Sequence, residues 1–242
     1  RPIRMHKGII MERLRLIVLL TKQFTYHLGR APDPYSALSR FERLLEDLLQ
    51  QPESRPWLPL LQDPHAMRDL AQVLGASDFL WEDFIRLQAE ELLPLLQPHL
   101  GGRRLAPDID TVEQRLAQAL QGAEGIDGQR RVINEFKDRE LYLLDLEQVL
   151  DDSVDFHAFS RKLTRLAECI VCASADALYR DLERRHGAPR TVGGLRARHA
   201  IFGLGKLGGE ALGYASDLEL LFVYSDSGRT DGDESLPNNV FF

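Results

Sequence analysis

From residue 8 to about residue 183 the apolar positions recur at three-and-four spacing, the period of helices that bury one face. Ile10, Leu14, Ile17, Val18 and Thr21 mark one face of an opening helix, which Ala31, Pro32, Asp33 and Pro34 break. A second helix is predicted over 35–50, ended by Pro52 and Pro56. Asp63 as N-cap and Pro64 in the first turn start the next, and Gly75 stops it before Ser77 caps a helix over 77–96. Pro98, Gly101, Gly102 and Pro107 form a loop. Asp110 then opens a helix to about residue 120, 122–128 is a break, and long helices follow over 129–150 and 155–185. Phe159, Leu163, Leu166, Ile170, Ala173 and Ala177 keep helical spacing along the last of these, and His186, Gly187, Ala188 and Pro189 end it.

The pattern changes after that point. Residues 190–198 are polar and Gly-bearing, and two strands are predicted, 199–203 and 217–224, before a hydrophilic loop over 225–237. Between the strands stands a glycine-rich turn, Gly203, Gly205 and Gly208 with Lys206. Asp217 and Glu219 follow, one residue apart in an otherwise apolar run, and alternation along a strand places both acids on one face. Neighbouring carboxylates repel unless a cation lies between them, and a divalent metal bridging a phosphate relieves that repulsion.

Three phosphate motifs compete for this turn. Gly203, Gly205 and Gly208 spell the dinucleotide fingerprint, with Asp226 at the distance of a ribose-binding acid. That motif needs a crossover of about a dozen residues or more, and only 209–216 are available. A Walker A loop needs Ser or Thr after G-K, whereas Leu207 follows Lys206. The nucleotidyltransferase arrangement suits the spacing: glycines let the backbone approach a nucleotide, Lys206 adds positive charge, and Asp217 with Glu219 would hold magnesium against the phosphates. The plain alternative is a tight turn followed by two solvated acids, and spacing by itself leaves both open.

Composition narrows the classes. The chain has 242 residues, 44% hydrophobic and 28% charged, enough for two modest units each with a core. A net charge of -7 argues against nonspecific nucleic-acid binding, which relies on Lys and Arg neutralising phosphates. The apolar stretch at 9–20 contains Glu12, Arg13 and Arg15, which suits neither a signal peptide nor a membrane span, so a cytoplasmic location is expected. Cys169 and Cys172 lie in a helical pattern and are expected to be buried small hydrophobes. The seven histidines are scattered without metal-ligand spacing, Trp57 and Trp81 are expected to anchor helix packing, and Asp145 and Glu147 to form a solvated helix face. Arg1 opens the sequence and Phe241 and Phe242 close it as a new apolar segment begins, so both ends are expected to be cut.

The run G-L-G-K-L-G-G-E-A-L-G-Y-A-S-D-L-E-L-L-F-V-Y at 203–224 resembles the signature of the bifunctional glutamine synthetase adenylyltransferase and adenylyl-removing enzyme family, G-x-G-K-L-G-G-x-E-L-x-Y-x-S-D-x-D-L. Upstream, Phe136, Lys137, Asp138, Arg139, Glu140 and Leu141 are similar to a helix of that family, as are residues 163–177. His186, Gly187 and Pro189 fit its approach to the catalytic domain, and residues 70–96, with Gly75, Ser77 and Phe79, are similar to its early helical region. The resemblance implies an α-rich α+β chain: a helical region, 1–189, followed by the start of a polymerase-beta-type nucleotidyltransferase domain, 190–242. It implies AMP transfer from ATP to a tyrosine of glutamine synthetase, or removal by phosphorolysis giving ADP, with Mg2+ and under a PII-type signalling protein. By position, Gly203, Gly205, Lys206 and Gly208 would lie at the nucleotide, Ser216 would shape the strand entry, and Asp217 and Glu219 would be catalytic metal ligands.

Two departures from the family pattern concern the acids. Glu219 stands where the family has Asp, and the family's third carboxylate comes from a later strand that this sequence does not reach. Asp231, Asp233 and Glu234 are expected to be solvated in a flexible loop. Two other functions therefore stand beside the first: another signalling nucleotidyltransferase, and a noncatalytic helical regulatory or interaction module carrying a degenerate site.

Overall fold

The computed structural model describes residues 2–50, 61–78, 80–82, 105–151, 154–213 and 215–242. The turn at Pro52 and Pro56, Trp57, most of the helix expected over 77–96, the loop at 98–102 and Tyr214 lie outside them. The chain divides into two compact units: residues 1–107 with 142–153, and residues 108–141 with 154–242.

The first unit is helical, with α1 (Pro2–His27), α2 (Pro34–Gln50) and α3 (Pro64–Ala76). The Asp63 carboxylate accepts from the His65 and Ala66 N–H groups, and Pro64 occupies the first turn, where a missing N–H is harmless. Ser77 Oγ accepts from Leu80 N–H at 3.0 Å, as a capping residue should. Leu20, Phe24, Phe41, Leu44, Leu70 and Leu74 form the core together with Tyr142 and Leu146. Phe24 and Phe41 stack with ring centroids 3.8 Å apart. Arg40 is buried because its charge is answered there: it donates to the Leu74 carbonyl at 2.7 Å, pairs with Asp78 and lies 5.9 Å from the Trp81 ring. Trp81 does anchor packing. The expected solvated face at Asp145 and Glu147 is corrected: both are buried, 3% and 5% exposed. Residues 142–147 are buried all round their helix, so spacing cannot tell inward from outward acids there.

In the second unit Asp108 caps a 3-10 turn, Ile109–Thr111, that leads into α4 (Val112–Ala119). α5 (Gly125–Leu150) begins in this unit, and α6 (Phe156–His186) is its longest helix. Glu140 of the motif helix is buried in an ion pair with Arg115, whose guanidinium lies 5.6 Å from the Phe136 ring. α6 ends at Gly187 with φ +79, where a Cβ would lie 2.2 Å from Gly232 N, so only glycine permits this exit.

Two small antiparallel sheets follow: β1 (Pro189–Thr191) with β4 (Gly228–Thr230), and β2 (His199–Gly203) with β3 (Leu220–Tyr224). Between them run the single-turn helix α7 (Gly205–Gly208) and the connection to β3, and α8 (Asn238–Phe241) comes last. β2 has its predicted bounds. β3 starts at Leu220, which corrects the strand expected from residue 217, although Leu204 N–H still donates to the Glu219 carbonyl at 2.8 Å. The expected loop over 225–237 contains β4, another correction. Its strand is polar and lacks alternation, and it is held by side-chain bonds: the Asp231 carboxylate accepts from Arg190 Nε and Ala188 N–H, both at 2.7 Å. Asp231 is therefore a structural tie. The chain is helix-rich with small antiparallel sheets, and no helix among the described residues is long and apolar enough to cross a membrane.

Candidate functional site

β2 delivers the chain to Gly203, its last residue, which pairs with Leu220 at the start of β3. Leu204 continues extended, and Gly205 then turns the backbone at φ +52 into α7. The buried Leu207 packs under Gly203, and Gly208 N–H closes the turn on the Leu204 carbonyl at 3.1 Å. The first N–H groups of a helix have no intrahelical acceptor, and the N-cap Leu204 supplies no side-chain oxygen. The Gly205, Lys206 and Leu207 N–H groups are thus left to other partners. The Lys206 side chain is exposed beside them.

The tertiary structure brings Glu219 directly onto this turn. A Cβ at Gly205 would lie 2.6 Å from Glu219 Oε2, so the carboxylate rests where any side chain at 205 would stand. Asp217 lies two residues upstream, before β3 begins, exposed like Glu219. Among the described residues neither carboxylate makes a hydrogen bond or ion pair. Ser216 Oγ accepts from Gly213 N–H at 3.1 Å. No cluster of three or more His, Cys, Asp or Glu side chains is found among the described residues. The unpaired Glu219 carboxylate against a turn with open N–H groups, with the exposed Asp217 two residues before it, fits magnesium, which takes one or two protein carboxylates and fills its octahedron with water and phosphate oxygens.

Cys172, expected from its helical pattern to be core, also reaches the glycine turn. Val171 and Cys172 of α6 line a cleft of about 340 Å³ with Ile201, Gly203 and Gly208, and Arg165 at its edge pairs with Glu113 at 2.8 Å. Cys169 is buried as expected, but Cys172 is exposed, so the pair is not uniformly core. Desolvation, then the nearby Asp176 and Glu168 charges, push the Cys172 thiol up, so it is no thiolate at neutral pH. Arg165, Glu168 and Cys172, exposed residues of α6 that line this cleft, recur at three-and-four spacing, which is the signal that could have found it.

β2 and β3 run antiparallel, which rules out the parallel crossover of a dinucleotide fold at this turn. The fold and site thus define a helix-rich protein that presents a glycine turn and two unpaired carboxylates on an antiparallel hairpin. A family model described as glutamate-ammonia ligase adenylyltransferase matches residues 67–242, and the chain belongs to that family. It is 32% identical over 205 residues to the bifunctional glutamine synthetase adenylyltransferase/adenylyl-removing enzyme of Thioalkalivibrio sulfidiphilus, covering 83% of this chain and 20% of that protein. The protein of the same name from Hahella chejuensis is 29% identical over 177 residues, 72% of this chain and 18% of the relative. That from Acinetobacter baylyi is 28% identical over 217 residues, 86% and 23%. The chain spans about a fifth of the length of these relatives.

Proposed function

We propose that residues 190–242 open a polymerase-beta-type nucleotidyltransferase domain, preceded by the helical region 1–189. In this reading the parent site transfers AMP to a tyrosine of glutamine synthetase or removes it by phosphorolysis, under control of a PII-type protein. Family membership and the relatives' names support the reaction class. The observation that carries it to these residues is the seating of Glu219 against Gly205.

In the adding direction the tyrosine oxygen loses its proton to solvent and attacks the α-phosphorus of ATP, and the bond to pyrophosphate breaks. In the removing direction an oxygen of inorganic phosphate attacks the same phosphorus, the bond to tyrosine breaks, ADP forms and the phenol regains its proton. Both steps build charge on phosphate oxygens, so the protein's task is positioning and charge stabilisation. The Gly205, Lys206 and Leu207 N–H groups donate to those oxygens, and the Lys206 ammonium adds positive charge. Asp217 and Glu219 are the ligands for magnesium, which neutralises the phosphates when bound. A phosphate on the turn would meet the Glu219 carboxylate as a like charge, so nucleotide binding here requires the cation.

Titration calorimetry with ATP and with ADP, with and without magnesium, tests the proposal beside the double change Asp217→Asn, Glu219→Gln. The wild-type chain is expected to bind nucleotide only with magnesium, and the double variant at least about tenfold more weakly, the equivalent of about 1.4 kcal/mol. Equal binding by both proteins would remove the acids from the site, and binding by neither would favour a noncatalytic module.

A further inference from the structure

The connection that joins the glycine turn to the two acids is pinned at three places. At its start the N–H groups of Gly209, Glu210 and Ala211 donate to the carbonyls of Gly205, Leu207 and Lys206 at 3.0, 3.2 and 2.8 Å. In its middle Leu212 is buried beside an apolar groove of about 190 Å³, which it lines with Leu141 of α5 and Leu163, Leu166 and Ile170 of α6. Immediately before the first acid, Gly213 and Ser216 close on each other. Gly213 N–H donates to Ser216 Oγ at 3.1 Å, and Ser216 N–H to the Gly213 carbonyl at 3.2 Å. Ala215, inside that closure, has φ +49, and Glu210 before Leu212 has φ +52. Side chains rarely adopt this backbone, which persists only where surrounding contacts over-determine it.

We propose that Ser216 is a positioning residue for Asp217: its hydroxyl, by accepting from Gly213 N–H, locks the turn and sets the direction in which Asp217 leaves it. The inference rests on the reading of Asp217 as a magnesium ligand given above. The physical reason is the cation's demand for a near-ideal octahedron, which a carboxylate on a freely rotating turn meets only after ordering. The reciprocal Gly213–Ser216 pair and the Leu212 anchor do that ordering before nucleotide arrives. Accepting from Gly213 N–H engages one lone pair of the hydroxyl and leaves its O–H free to donate, so the protection of the Gly213 amide is what distinguishes positioning from a direct contact to phosphate.

Amide hydrogen exchange and nucleotide titration on the chain carrying Ser216→Ala or Ser216→Thr test the inference. In Ser216→Ala the Gly213 amide is expected to lose protection and magnesium-dependent ATP affinity to fall about tenfold. The thermal midpoint should stay as in wild type, and Ser216→Thr, which keeps the acceptor, should restore both readouts. Retained protection of Gly213, or unchanged affinity with magnesium, would overturn it. A wild-type chain that binds no magnesium nucleotide would count against the function proposed above. The positioning inference would then be decided by the Gly213 amide and the Asp217 backbone resonances, which move in Ser216→Ala if the turn steers Asp217 and stay if it does not.

Discussion

The helical core of the first unit and the β2–β3 hairpin of the second use similar apolar side chains in opposite ways. Phe24 and Phe41 are fully buried and stacked, whereas Phe202 and Phe222 are 53% and 52% exposed. In the first case packing holds the elements together. In the second the main-chain ladder, the buried Leu207 under Gly203 and the buried Leu212 do so, leaving the sheet's own apolar residues largely in solvent. Apolar content therefore marks a strand or a helix reliably, but marks a core only where a second element covers it.

The largest expected effect sharpens this contrast. Phe41→Ala should lower stability by about 3–5 kcal/mol, the range for emptying an aromatic core site, and Phe202→Ala by about 1 kcal/mol or less. Urea unfolding of both variants reads the difference, and equal losses would erase the contrast.

An intermediate effect is expected where backbone geometry, not burial, holds the structure. Gly205→Ala places a Cβ 2.6 Å from Glu219 Oε2 at φ +52 and should cost about 1–3 kcal/mol, with weakened magnesium-dependent nucleotide binding. Gly29→Ala in the first unit meets nothing within 4 Å and should change stability by about 0.5 kcal/mol or less. Matching thermal midpoints for the two variants would show that the Gly205 turn yields without strain.

The smallest effect is electrostatic. The hydrogen bonds from Arg190 and then from Ala188 N–H hold the Asp231 carboxyl below its usual range. A depressed folded value means that the stabilisation is present above the unfolded value of about 3.9 and is lost as pH falls through the folded one. The β1–β4 pairing should therefore loosen below about pH 4 in wild type. In Asp231→Asn it should be weaker at neutral pH and indifferent to acid, which amide exchange at Arg190 and at residue 231, whose N–H donates to the Ala188 carbonyl, would record across pH 2–7. Parallel pH profiles for the two proteins would remove Asp231 from that role.

Local signals were legible wherever the physics is local. Asp63 with Pro64, the cap at Ser77, the break at Pro32 and Pro34, the exit at Gly187 and the strand at His199–Gly203 each rest on a backbone preference within a few residues. The glycine turn at Gly205 was legible for the same reason. The polar strand β4, the late start of β3 and the burial of Asp145 and Glu147 were not, because each depends on a partner distant in sequence or on a helix covered on all sides.

By itself the sequence determined the helical periodicity, a connection too short for a dinucleotide crossover, and the residue types able to meet a phosphate and a cation. Only the tertiary structure decided that Glu219 lies against Gly205, that Ser216 closes on Gly213 and that Leu212 anchors the connection to α6. Spacing along a chain limits which groups can share an element. Which atoms meet across elements follows from packing and backbone hydrogen bonds that form only once the whole unit has folded.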